Sequence, residues 1–139
     1  MRRTAVVLML ALLVGVVLGV IGDRVLSAQQ EPIKRTALLK TDLAGMEGQE
    51  GQIIRVEVAP GATVGKHYHP GHELAYIVAG SGTLEVEGKP PRKVKAGDTM
   101  YLAPKVVHDA RNASKTAPLR VLVFSIHPKG EPPAVEVKK

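Results

Sequence analysis

From residue 53 to residue 126 the sequence breaks into short β-rich runs at nearly regular intervals, and that rhythm restricts the fold more than any other feature. The runs cover residues 53–58, 66–69, 74–78, 83–87, 99–102, 107–111 and 119–126. Between them stand Pro60-Gly61, Pro70-Gly71, Gly80-Ser81-Gly82, Gly88-Lys89-Pro90-Pro91 and Ala96-Gly97-Asp98, which fix φ or allow it to be positive. No long helical period follows residue 28. Short strands with turns at this spacing predict an all-β sandwich or barrel.

A length of 139 residues leaves room for one domain. Residues 29–52 read as a linker and edge segment, polar and interrupted by Pro32, Gly45, Gly48 and Gly51. The barrel is expected over residues 53–127, and residues 128–139, with Pro132-Pro133, read as a loose tail or extended arm. Leu84 and Val86 alternate with Glu85 and Glu87, so that strand has one wet face. Residues 74–79 are apolar on both faces, which predicts cover by the barrel interior on one side and by a second sheet or a second subunit on the other, and a homodimer is expected.

Arg2 and Arg3 precede 18 residues, 5–22, without a charged side chain: a basic n-region and an apolar h-region. A membrane span needs roughly 20, and Gly15, Gly19 and Gly22 weaken a permanent helix. Residues 1–28 are therefore expected to be a signal peptide cleaved after Leu26-Ser27-Ala28, with an N-terminal membrane anchor as the alternative. The expected location is periplasmic or extracellular, with membrane contact only through this hydrophobic helix if it is retained. Losing Arg2, Arg3, Arg24 and Asp23 takes the formal charge from +6 to +4. Scattered basic residues, with only Tyr68, Tyr76, Tyr101 and Phe124 to stack on bases, argue against nucleic acid. The chain has no cysteine, so an exported domain must stand on its core or on a bound metal.

Four of the five histidines fall between residues 67 and 108. His67 and His69, two apart in a strand, share one face. Gly71 permits a bend that lets Glu73 return a carboxylate towards them, and His108 lies in a later strand. Three imidazoles and one carboxylate suit a divalent transition metal, Fe, Mn, Zn, Ni or Cu, whereas calcium would want oxygens. The site would keep a net charge of about +1, able to hold an anion or acidify a bound water. Octahedral coordination leaves positions open for a substrate or dioxygen; tetrahedral zinc leaves none and would be structural.

The segment Gly61-x5-His67-x-His69-x3-Glu73-x6-Gly80 and the later Gly97-x10-His108-x3-Asn112 resemble the two motifs of the cupin superfamily. The second departs from the pattern, with Ala103 at the proline position, Pro104 one place late and Lys105 where glycine stands. Positive φ is costly for lysine, so a shifted turn is expected, with the ligand retained. The resemblance spans about residues 53–127 and implies a jelly-roll barrel of a small single-domain cupin, with His67, His69, Glu73 and His108 as metal ligands.

His72 is a weak candidate for an acid/base group, and a solvent-facing role is expected to prevail. His127 reads as a strand-end surface residue, Asn112 as either a structural or a ligand contact, and Asp98 as a turn residue. Among small cupins the resemblance implies an oxygenase acting on a small organic acid, diketone or phenol, with an epimerase or isomerase behind it. The alternative is a non-catalytic periplasmic binding or sensing module with a structural metal or a small anionic ligand. The partner expected in each case is a small molecule.

Overall fold

A computed structural model describes residues 31–137; the expected signal segment lies outside them. The regular structure is ten strands: β1 (Ile33–Asp42), β2 (Gln49–Val58), β3 (His67–Tyr68), β4 (His72–Ala79), β5 (Ser81–Val86), β6 (Arg92–Lys95), β7 (Thr99–Leu102), β8 (His108–Asn112), β9 (Leu119–Pro128) and β10 (Val135–Glu136). They form two five-stranded antiparallel sheets, ordered β1-β2-β9-β4-β7 and β10-β3-β8-β5-β6. This is the jelly-roll arrangement that the motif resemblance implies, within the all-β class expected from the rhythm of turns.

Alternation explains how each strand splits its residues. In β4, Glu73, Ala75 and Ile77 are buried while Leu74, Tyr76 and Val78 are exposed. Val58, Ile77, Leu84, Val94 and Leu119 form the core. Gly80 has φ +87°, and a Cβ there would stand 2.7 Å from the Pro118 carbonyl oxygen, so this turn demands glycine. At Gly71 the demand is close approach, since a Cβ would meet the Ile126 carbonyl oxygen at 1.9 Å.

Two boundaries differ from expectation. The segment read as a linker contains β1, ten residues paired with β2 along its length. Its side chains are largely exposed, so the backbone ladder rather than a buried stripe defines it, and hydropathy gave little sign of it. It is, as the edge reading held, an outer strand. The C-terminal segment is likewise tied down: Val135 pairs with Tyr68 and Glu136 with His67, making β10 an edge strand.

The β1-β2-β9-β4-β7 sheet carries an apolar row on its outer face. Leu39 pairs with Ile53, Ile53 with Phe124, Phe124 with Leu74 and Leu74 with Tyr101, one residue from each of the five strands. Leu39, Leu74, Tyr101 and Phe124 are all exposed. The cover expected over this side of β4 does not come from the described residues.

Candidate metal centre

The three motif histidines converge because the sheet registers place them together. His67 pairs directly with His108 across β3 and β8, and His69 follows at the same parity as His67. One ring nitrogen from each lies within 4.8 Å of the others. Glu73 arrives from the opposite sheet, on β4, where its neighbours are Leu102 and Ser125. All four side chains are buried.

Each imidazole is oriented by a backbone carbonyl. Nδ1 of His67 lies 2.7 Å from the Gly65 oxygen, Nδ1 of His108 is 3.0 Å from that of Val106, and Nδ1 of His69 is 2.6 Å from that of Pro133. A carbonyl only accepts, so each Nδ1 donates a proton and each Nε2, when it carries no proton, is left with a lone pair for the centre. Gly65 and Val106 are two residues upstream of their histidines; Pro133 comes from the C-terminal arm.

Electrostatics separates the three. Burial lowers His67 and His108 below the ordinary histidine value, against the raising effect of the carbonyls that hold them. Burial also opposes a charge on His69, but the Glu73 carboxylate outweighs it and raises that histidine. His69 Nε2 lies 2.6 Å from Glu73 Oε2, yet it makes no hydrogen bond. A lone pair facing a carboxylate at this distance needs a proton or a cation between them. The donor set of three imidazole nitrogens and an adjacent carboxylate therefore fits a divalent transition metal.

The four side chains line a cavity of about 110 Å³. Its remaining wall is mostly aliphatic, from residues such as Val56, Val64, Ile77, Val121 and Val123, with Arg35 and Pro133 also lining it. Ser125, which sequence reasoning passed over, also borders it; its Oγ is buried without a hydrogen-bond partner. Its parity with Val121 and Val123 was the available sign.

The turn before His108 keeps its place rather than shifting. Lys105 itself adopts φ +63°, and its amide donates to the His69 carbonyl at 2.8 Å, linking the turn to the ligand strand. Pro104 precedes Lys105 and supplies a restricted φ to the same turn.

The other residues fall away from the centre. His72 is exposed on the outer face, stacked on Tyr101 and hydrogen-bonded to its hydroxyl at 2.7 Å through Nδ1. Strand alternation sends it opposite to Glu73, which removes it from the chemistry. His127 corrects the surface reading: it is 1% exposed, with Nε2 3.5 Å from Glu50 Oε1, because it shares the inward parity of Leu119, Val121, Val123 and Ser125. Asn112 is structural, its Nδ2 donating to the carbonyls of Val58, Ala59 and Ala117 and its Oδ1 accepting from the Ser114 amide. Asp98 accepts the Lys95 amide within its turn.

The sequence model described as "Cupin domain" matches residues 54–125. The chain belongs to the cupin family. No curated protein matches it. Among solved structures, a cupin-like protein from Thermotoga maritima is 29% identical, with 77% of each chain covered and a TM-score of 0.61. The DMSP lyase from Ruegeria pomeroyi is 23% identical at TM-score 0.61, covering 76% of this cupin and 52% of that chain. An oxalate oxidase in complex with the substrate analogue glycolate is 25% identical at TM-score 0.57, with 76% and 55% covered. This cupin thus spans about half the length of the last two.

Proposed function

We propose that this cupin is an exported metal-dependent oxygenase acting on a small organic acid, diketone or phenol inside the barrel. One observation carries the reading: the three imidazoles and Glu73 line a mostly aliphatic cavity, so an ion held by them borders space for a substrate. His67, His69 and His108 would hold it, with Glu73 as the fourth ligand. A bound transition metal supplies Lewis acidity and, for Fe, Mn or Cu, electrons for dioxygen. The carbonyls of Gly65, Val106 and Pro133 keep the imidazoles in one tautomer, and the aliphatic wall keeps bulk water from the reacting atoms. Ser125 Oγ is a hydroxyl free to hydrogen-bond a ligand. The likeness to an oxalate oxidase agrees with oxygen chemistry on a small acid in this fold.

The test is metal analysis of protein purified without an affinity tag, followed by oxygen uptake with iron- and manganese-loaded protein across small acids, diketones and phenols. About one metal per chain and oxygen consumption with one class are expected. Stoichiometric ligand binding without turnover would instead identify the non-catalytic binding module. N-terminal sequencing of exported protein, with a start at Gln29 expected, tests cleavage of the signal.

We further infer a homodimer joined through the outer face of the β1-β2-β9-β4-β7 sheet. The support is the exposed apolar row that crosses all five strands. A patch on a single face is self-complementary under a two-fold axis.

A further inference from the structure

Arg35 stands on β1 opposite Val56, between Ile33 opposite Val58 and the Ala37–Ile54 pair. Its side chain lines the same cavity as His67, His69 and Glu73. Several cations have acidic partners, Lys40 with Glu50, Arg55 and Arg120 with Glu57 and Lys129 with Asp42, whereas Lys34, next to Arg35, has none among the described residues. Among the described residues Arg35 has none either. A guanidinium is always charged, and its planar fork matches a carboxylate through two parallel hydrogen bonds. Arg35 is itself exposed, so its guanidinium borders the cavity from the solvent side.

We propose that Arg35 is the carboxylate subsite of the barrel, holding a short-chain 2-hydroxy or 2-oxo acid whose second oxygen donor faces His67, His69 and His108. The inference rests on the proposed metal function and narrows its substrate class to the acids. Charge selects among the three classes. A divalent ion with Glu73 carries about +1 and Arg35 adds another positive charge, so an anionic ligand is favoured. A neutral diketone or phenol would gain nothing from the charge of the guanidinium. Size selects within the acids. The cavity is of limited volume, about 110 Å³, which suits a short chain. Val64, Val121 and Val123 favour an aliphatic end.

The probes are 2-hydroxybutanoate and its neutral amide, titrated calorimetrically into manganese-loaded full-length protein and, in parallel, into metal-free protein followed by NMR. Wild type is expected to prefer the acid at least tenfold in both. Arg35→Gln should remove the preference by weakening the acid at least tenfold while leaving the amide unchanged, and Arg35→Lys should restore part of it. The metal content of both variants should equal that of wild type. Equal acid affinity in wild type and Arg35→Gln, or a wild type indifferent between acid and amide, overturns the subsite. Wild type that takes up no manganese overturns the metal function instead, while the acid-to-amide ratio on metal-free protein still decides Arg35.

Discussion

Nδ1 of His69 and the carbonyl oxygen of Pro133 lie 2.6 Å apart, although 64 residues separate them in sequence. The carbonyls that hold His67 and His108 are supplied locally, whereas His69 depends on the arm that β10 pins to β3. Deleting residues 130–139 should lower metal affinity about 10- to 100-fold, the usual effect of losing an orienting partner. The metal-free barrel should stay folded, because β10 contributes two residues at a sheet edge. Competition titration with a metallochromic chelator measures the first, and circular dichroism the second. Unchanged affinity would refute the role of the arm.

The ligand set makes a sharper demand. His67→Ala and His108→Ala each remove a nitrogen from a directly paired position and should abolish stoichiometric metal binding. Glu73→Gln keeps the shape but removes the charge, so affinity should fall while the fold remains. Elemental analysis decides, and full metal retention after both histidine changes would sink the site.

Protons compete with the metal in a defined order. His67 and His108 are lowered mainly by burial, so the folded chain resists protonating them, and they cost stability as pH falls below the ordinary histidine value. His69 is raised, its burial being outweighed by Glu73; its contribution is present at low pH and is lost as pH rises through its folded value. His69 is therefore, of the three, the histidine whose proton a metal has most to displace. Loading should release up to about one proton per ion, read from the buffer dependence of the calorimetric enthalpy, and less in Glu73→Gln. Equal release from both proteins would contradict this assignment.

Lys105 carries a removable strain. A non-glycine residue with φ +63° pays about 1 to 2 kcal/mol, of which glycine's greater freedom in the unfolded chain cancels about 0.5 to 1. Lys105→Gly should therefore stabilise the metal-free protein by about 0.5 to 1 kcal/mol in urea unfolding. A loss of stability would show that the lysine side chain contributes something its exposed position does not suggest.

Leu74 belongs to the outer apolar row, between Phe124 and Tyr101. Leu74→Glu places a charge on an interface between two copies while leaving the core untouched. Light scattering should show a dimer for wild type and a monomer for the variant. A monomeric wild type would reject the proposed interface.

Local rules made much of this protein readable from its sequence. Turn residues at regular spacing set an all-β fold, and the parity of His67 and His69 put two ligands on one face. Motif resemblance added Glu73 and His108, which lie on other strands. What lacked a local signature went unread. β1 is held by backbone pairing at an exposed edge, so hydropathy did not outline it. His127 looked like a strand end, and only the full length of β9 carried it inward. The cluster of His67, His69 and His108 was thus inscribed in sequence spacing, while three decisions belonged to the tertiary structure: which carbonyl orients His69, that Lys105 accepts a glycine's conformation, and that Arg35 borders the cavity. Each depends on segments distant in sequence or on the packing around them, and spacing along a chain does not record that.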